Sequence, residues 1–120
     1  MSWISDAACN VRPSRRELHL FNVAVERARQ CGVTFKPDAV KVHFFRRDDP
    51  HGEAPGFCWW GGRPIEIGVA VDQADREVVR TLLHEMKHAF DALCVGTTRY
   101  QQIPSADRER ACDWFMTLAW

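Results

Sequence analysis

The chain has no apolar run approaching the roughly 20 residues needed to span a bilayer. It has no excess charge of either sign. Its 16 basic residues meet 16 acidic ones, so no global field recruits nucleic acid or an anionic membrane. The start, Met-Ser-Trp-Ile-Ser-Asp, lacks the basic beginning and apolar block of a secretory leader. Five cysteines are present (Cys9, Cys31, Cys58, Cys94, Cys112), but no two form a C-x-x-C pair. An odd, scattered set argues against a disulfide scaffold and, on spacing alone, against a cysteine-based zinc site. These absences lead to the expectation of a cytoplasmic protein with mostly buried thiols and with no nucleic-acid or membrane partner.

What remains is the balance of an ordinary globular protein: 120 residues, 46% hydrophobic and 27% charged. That suffices for one domain over residues 1–120 with a modest core. Residues 1–13 show no period and read as an N-terminal arm. From Ser14, the residues Leu18, Phe21, Val25 and Ala28 recur at helical steps. Ser14 and Glu17 make a capping box, and Gly32 supplies a stop. Val40 to Arg46 alternates as a strand. Phe57 to Trp60 and Pro64 to Val71, on either side of Gly61-Gly62, read as a hairpin whose tight turn uses glycine at positive φ. Asp72 is the expected cap of a long helix with Val79, Leu83, Met86, Phe90 and Leu93 on its core stripe, ending near Gly96. A loop from Gly96 to Pro104 precedes a last helix from Ser105. The expected class is α+β with a small, mostly antiparallel sheet.

The chemistry-bearing stretch is His84-Glu85-Met86-Lys87-His88, an H-E-x-x-H inside the long helix. At 3.6 residues per turn, His84 and His88 stand on one face, so both imidazoles can meet one ion. Glu85 lies about 100° round the axis, where a carboxylate can take a proton from water. Leu82, Leu83, Ala89 and Phe90 embed the motif in apolar surroundings. A catalytic zinc takes three protein ligands, and no histidine follows His88. Of the downstream carboxylates, Asp91 is too near along the same helix. Glu109, in the last helix, is the candidate third ligand, and Asp107 competes with it. Asp113, four residues after Glu109, is suited to orienting a ligand histidine through its outward nitrogen.

The H-E-x-x-H of residues 84–88 plus Glu109-Arg-Ala-Cys-Asp113 resembles the H-E-x-x-H and E-x-x-x-D signature of gluzincin zinc metallopeptidases. In size the chain is similar to the single-domain members called minigluzincins. The hairpin and Thr-Leu-Leu-His-Glu-Met also resemble the SprT-like metallopeptidases, whose third histidine is absent here. The resemblance covers roughly residues 57–120. It implies a minimal zincin fold and an edge strand, here Ile65–Val71, pairing with an extended peptide or protein substrate. It also implies Zn²⁺ on His84, His88 and Glu109, with Glu85 as general base. The larger relatives supply an oxyanion donor from a subdomain this chain lacks; Tyr100, Arg99 and His51 are the available substitutes. Two other readings stand beside this one. One is a latent peptidase awaiting a regulatory protein partner, with Cys31 superficially similar to a cysteine switch. The other is a zinc-stabilised binding module, suggested by Trp3, Trp59, Trp60, Trp114 and Trp120. One of Trp59 and Trp60 is expected to face outward, and Trp114 to fill the core.

Overall fold

The computed structural model describes residues 12–36 and 38–120, so most of the expected arm, with Trp3 and Cys9, lies outside the described residues. Helix α1 (Arg15–Gln30) begins at the capping box. The Glu17 carboxylate accepts from the Ser14 N–H at 3.0 Å and from its hydroxyl at 2.7 Å. The buried stripe is Leu20, Phe21, Ala24 and Ala28. The expected Leu18 is instead 40% exposed. The buried face of α1 is thus centred on Leu20, Phe21, Ala24 and Ala28, and Leu18 falls outside it. The Arg16 guanidinium then ties the start of α1 to the turn at 71–75, donating to the Asp75 carboxylate at 2.6 Å and to the carbonyls of Gln73 and Val71.

Strands β1 (Val40–Phe45), β2 (Gly56–Trp59) and β3 (Ile65–Ala70) form one sheet in the order β1-β3-β2. This corrects the expectation of a mostly antiparallel sheet. β1 and β3 run parallel from Val40↔Ile65 to Phe45↔Ala70, and only the shorter β2 runs antiparallel, from Gly56↔Val69 to Trp59↔Glu66. Val40, Val42 and Phe44 lie beside Ile65, Ile67 and Val69, all fully buried. An alternating pattern fixes which face is buried but not the direction in which neighbours run. β3 is therefore the central strand, and the edges belong to β1 and β2. Gly61 and Gly62 do not have positive φ; residues 60–64 make a wider connection than the expected tight turn.

Asp72 does not cap the next helix. Its carboxylate pairs with Arg47 at 3.1 Å, and Arg47 also donates to the Pro50 and Glu53 carbonyls, which holds the loop after β1 in place. Helix α2 (Asp75–Val95) starts after Ala74 without a side-chain cap. It is the hub of the molecule, in contact with α1, β2, β3 and the two helices that follow. Gly96, at φ +94°, ends it in a conformation that residues with a Cβ rarely adopt. The segment expected as a loop then holds a short helix, α3 (Thr97–Gln102), before α4 (Ser105–Ala119). The whole is an α+β arrangement. Among the described residues no helix is long and apolar enough to cross a membrane.

Two side-chain expectations are also corrected. Trp114 is 64% exposed, because α4 turns Cys112, Phe115, Met116 and Ala119 inward and leaves it on the opposite side. Among the four described thiols Cys112 is buried, Cys31 and Cys58 are half-buried, and Cys94 is exposed, so fewer are buried than expected.

Candidate metal centre

Helix α2 sets His84 and His88 one turn apart, with ring centroids 4.9 Å from each other and planes at 75°. Helix α4 crosses α2 so that Glu109 reaches both rings. One carboxylate oxygen lies 3.0 Å from Nε2 of His84 and the other 3.0 Å from Nε2 of His88. Of the two competing carboxylates it is Glu109 that meets the histidines; Asp107 is paired with Arg110 at 3.0 Å. Asp91, too, is engaged elsewhere, with Lys87 at 2.8 Å.

A further residue stands at this point. Cys112 follows Glu109 by three positions, so helical geometry brings both to the same side of α4. Its buried sulfur donates to the His84 carbonyl at 3.7 Å. One donor atom from each of His84, His88 and Cys112 lies within 4.8 Å of the others. The sequence offered a signal that the spacing between cysteines hides, namely a thiol in register with Glu109. Two imidazoles, a carboxylate and a thiol are the donor set of a borderline-soft divalent ion, so the residues present fit a metal. Burial foremost lowers the basicity of the His88 ring, against the opposing pull of Glu109. That favours the neutral imidazole a metal needs. Burial likewise pushes the Cys112 thiol up, with the charge of Glu109 adding to it.

Tyr100 has a different place from the expected one. Its hydroxyl is 2.7 Å from Nδ1 of His88, and the residue is only 2% exposed. The Trp60 ring meets Tyr100 edge-on at 5.0 Å, and the Arg108 guanidinium lies over both rings at 5.1 and 5.7 Å. Burial raises the phenol well above its ordinary value, so the hydroxyl stays neutral. A hydroxyl held on the outward nitrogen of His88 points away from the Nε2 side, where a reacting carbonyl would sit. Tyr100, expected as an oxyanion donor, is placed by the structure in contact with the ring of His88. Asp113, expected to orient a ligand, is exposed on α4, and at His88 that position is taken by Tyr100. Arg99 and His51 are exposed, and the His51 N–H is bonded to Asp49 within its own loop. Cys31 caps the far end of α1.

Glu85 projects beside the histidines into a cleft of about 330 Å³ lined by Ala54, Pro55, Gly56, Arg80, Thr81 and His84. Burial, then the charge of Glu109, pushes its carboxyl up to about 8. The wall of this cleft is the start of β2. A Cβ built at Gly56 would collide with the Thr81 methyl and stand 2.9 Å from the Gly68 carbonyl oxygen and 3.2 Å from the Glu85 carboxylate. The bare backbone of β2 can therefore lie against α2. The edge strand flanking Glu85 is β2, which corrects the assignment of that role to Ile65–Val71. Trp59, the last residue of β2, faces outward at 63% exposure, while Trp60, just after the strand, packs against His88 at 5.8 Å. Comparison with protein-family models, with curated proteins and with solved structures finds no match to this chain.

Proposed function

We propose that this protein is a zinc-dependent metallopeptidase with a minimal zincin fold, binding the ion through His84, His88 and Glu109. The observation that carries this reading is the convergence of both Nε2 atoms on the Glu109 carboxylate at 3.0 Å, with Glu85 next to them on an open cleft. Zinc bound there would polarise a scissile carbonyl and acidify water. Glu85 accepts the proton of the attacking water and later hands it to the leaving amine. Burial raises this carboxyl in the metal-free protein, and a zinc ion beside it would pull it back down toward the working range of a general base. Tyr100 fixes the His88 ring, and the free edge of β2 offers main-chain groups to an extended peptide. The resemblance to gluzincins in the two motifs supports the same assignment, and the sequence favours a cytoplasmic setting.

The test is cleavage of a mixed peptide library by the zinc-loaded chain, read by mass spectrometry beside Glu85→Gln. The expected result is cleavage by the wild type, a loss of about 10²–10⁴-fold in the variant, and equal zinc in both. Zinc in both with cleavage in neither would leave the second reading, a zinc-stabilised binding module. The exposed Trp59 favours that module, and Trp59→Ala would then weaken a partner's binding.

A further inference from the structure

The two histidines of α2 are met from α4 by two groups, the Glu109 carboxylate at 3.0 Å and the Cys112 thiol within 4.8 Å, and these groups differ in how far they can move. His88 is 4% exposed and its second nitrogen is held by Tyr100. Cys112 is fully buried, and its sulfur rests on the His84 carbonyl. The Glu109 side chain, by contrast, is 50% exposed and reaches the histidines from the solvent side of α4. No ion or salt bridge beyond the two histidines holds its carboxylate among the described contacts.

We propose that Cys112 is a ligand of the same ion, bound through sulfur as a thiolate with its proton released to solvent. On this view Glu109 is the exchangeable ligand, whose departure opens a position to water or substrate. The inference rests on the metal reading above and adds what that reading lacks. A site closed by four protein donors is structural, whereas a catalytic one keeps a position free. Here the buried sulfur stays and the exposed carboxylate leaves, so one donor set serves both conditions. The thiolate also biases the choice of ion. Soft sulfur discriminates against magnesium, calcium and manganese, and favours zinc or cobalt.

The experiment is a titration of the full chain with Co²⁺ under reducing conditions, followed by absorption. One cobalt per chain with a near-ultraviolet sulfur-to-metal charge-transfer band is expected in the wild type. The band should vanish in Cys112→Ser and persist in Cys58→Ser and Glu109→Gln, each of the latter two still binding one cobalt. X-ray absorption of the zinc-loaded wild type needs no variant; it should show one sulfur at about 2.3 Å. Cobalt bound without the band, or zinc without sulfur, would overturn the thiolate and leave the metal reading intact. A band surviving in Cys112→Ser would assign the sulfur to another thiol and also overturn it. Loss of stoichiometric binding in Glu109→Gln would overturn the exchangeable carboxylate. A wild type that takes up neither ion would sink this inference and the metal reading together.

Discussion

Histidine meets glutamate in two regions of this molecule, and the settings differ more than the distances. On the sheet, Nε2 of His43 lies 2.6 Å from Glu66, between strands β1 and β3. Phe57 stacks over the His43 ring at 6.4 Å, and the other nitrogen of that ring is buried without a partner. Between α2 and α4, two rings share one carboxylate at 3.0 Å, a thiol stands close by, and the second nitrogen of His88 is satisfied by Tyr100. The sheet pair offers one imidazole, one carboxylate and a closed roof. The helix pair offers several donors and an entrance beside Glu85. A short His–Glu contact is thus not a site in itself; convergence of donors with an oriented ring makes one.

The comparison breaks most easily at the proposed ligands. His88→Ala is expected to weaken zinc binding by more than ~100-fold, beyond what loss of an orienting partner costs, and His43→Ala to leave it unchanged. Competition with a chromophoric chelator measures both, and equal losses would erase the distinction between the regions.

Next in size is the carboxyl at the cleft. Folded Glu85 holds its proton up to about pH 8, whereas the unfolded chain releases it near 4.5. The folded form therefore binds more protons between those values, and stability falls as pH rises through that window. At about 1.4 kcal/mol per unit, and allowing for hydration from the cleft, the decline attributable to Glu85 is roughly 2–4 kcal/mol. Urea unfolding of metal-free wild type and Glu85→Gln at pH 5 and pH 8 should show the variant losing less. A parallel decline in the two proteins would refute the assignment.

Tyr100→Phe sharpens the contrast in the His88 nitrogen facing away from the proposed ion. Removing the hydroxyl while keeping the ring is expected to cost about 10–100-fold in zinc affinity. An unaltered affinity would mean that packing by Trp60 alone orients His88. The smallest expected effect is on the sheet. Glu66→Ala removes a half-exposed partner, so its cost in unfolding free energy should stay near or below about 1 kcal/mol, with zinc binding unaffected. A drop in zinc binding would show that the two regions are coupled.

How much of this could be read from the sequence depended on the range of the interactions. The Ser14–Glu17 box, the long helix carrying His84 and His88, and a second carboxylate helix around Glu109 rest on local periodicity and spacing, and they were legible. The parallel pairing of β1 with β3 was not, because it joins Val40 to Ile65 across an excursion that contains β2. The same non-locality drew Asp72 away to Arg47 and moved the edge role from Ile65–Val71 to Gly56–Trp59. Tyr100 was found as a residue near the site, yet its task depended on α3, a helix too short to announce itself by period. Spacing between cysteines does not single out Cys112. Counted against Glu109, it falls one turn along the same helix. The exposure of Trp114 was open to the same counting, since Phe115 and Met116 already claim the inner side of α4.

Gly56 gives the cleft a calibrated gap. Strand β2 rests against α2 at the distance of a hydrogen atom, with the Thr81 methyl and the Glu85 carboxylate already standing where a methyl group would go. Alanine there would act as a wedge, prising the strand from the helix at the mouth of the cleft and pressing on the Glu85 carboxylate as it does so. The width of the aperture and the position of that carboxylate are therefore set together, through a single backbone position that admits no side chain.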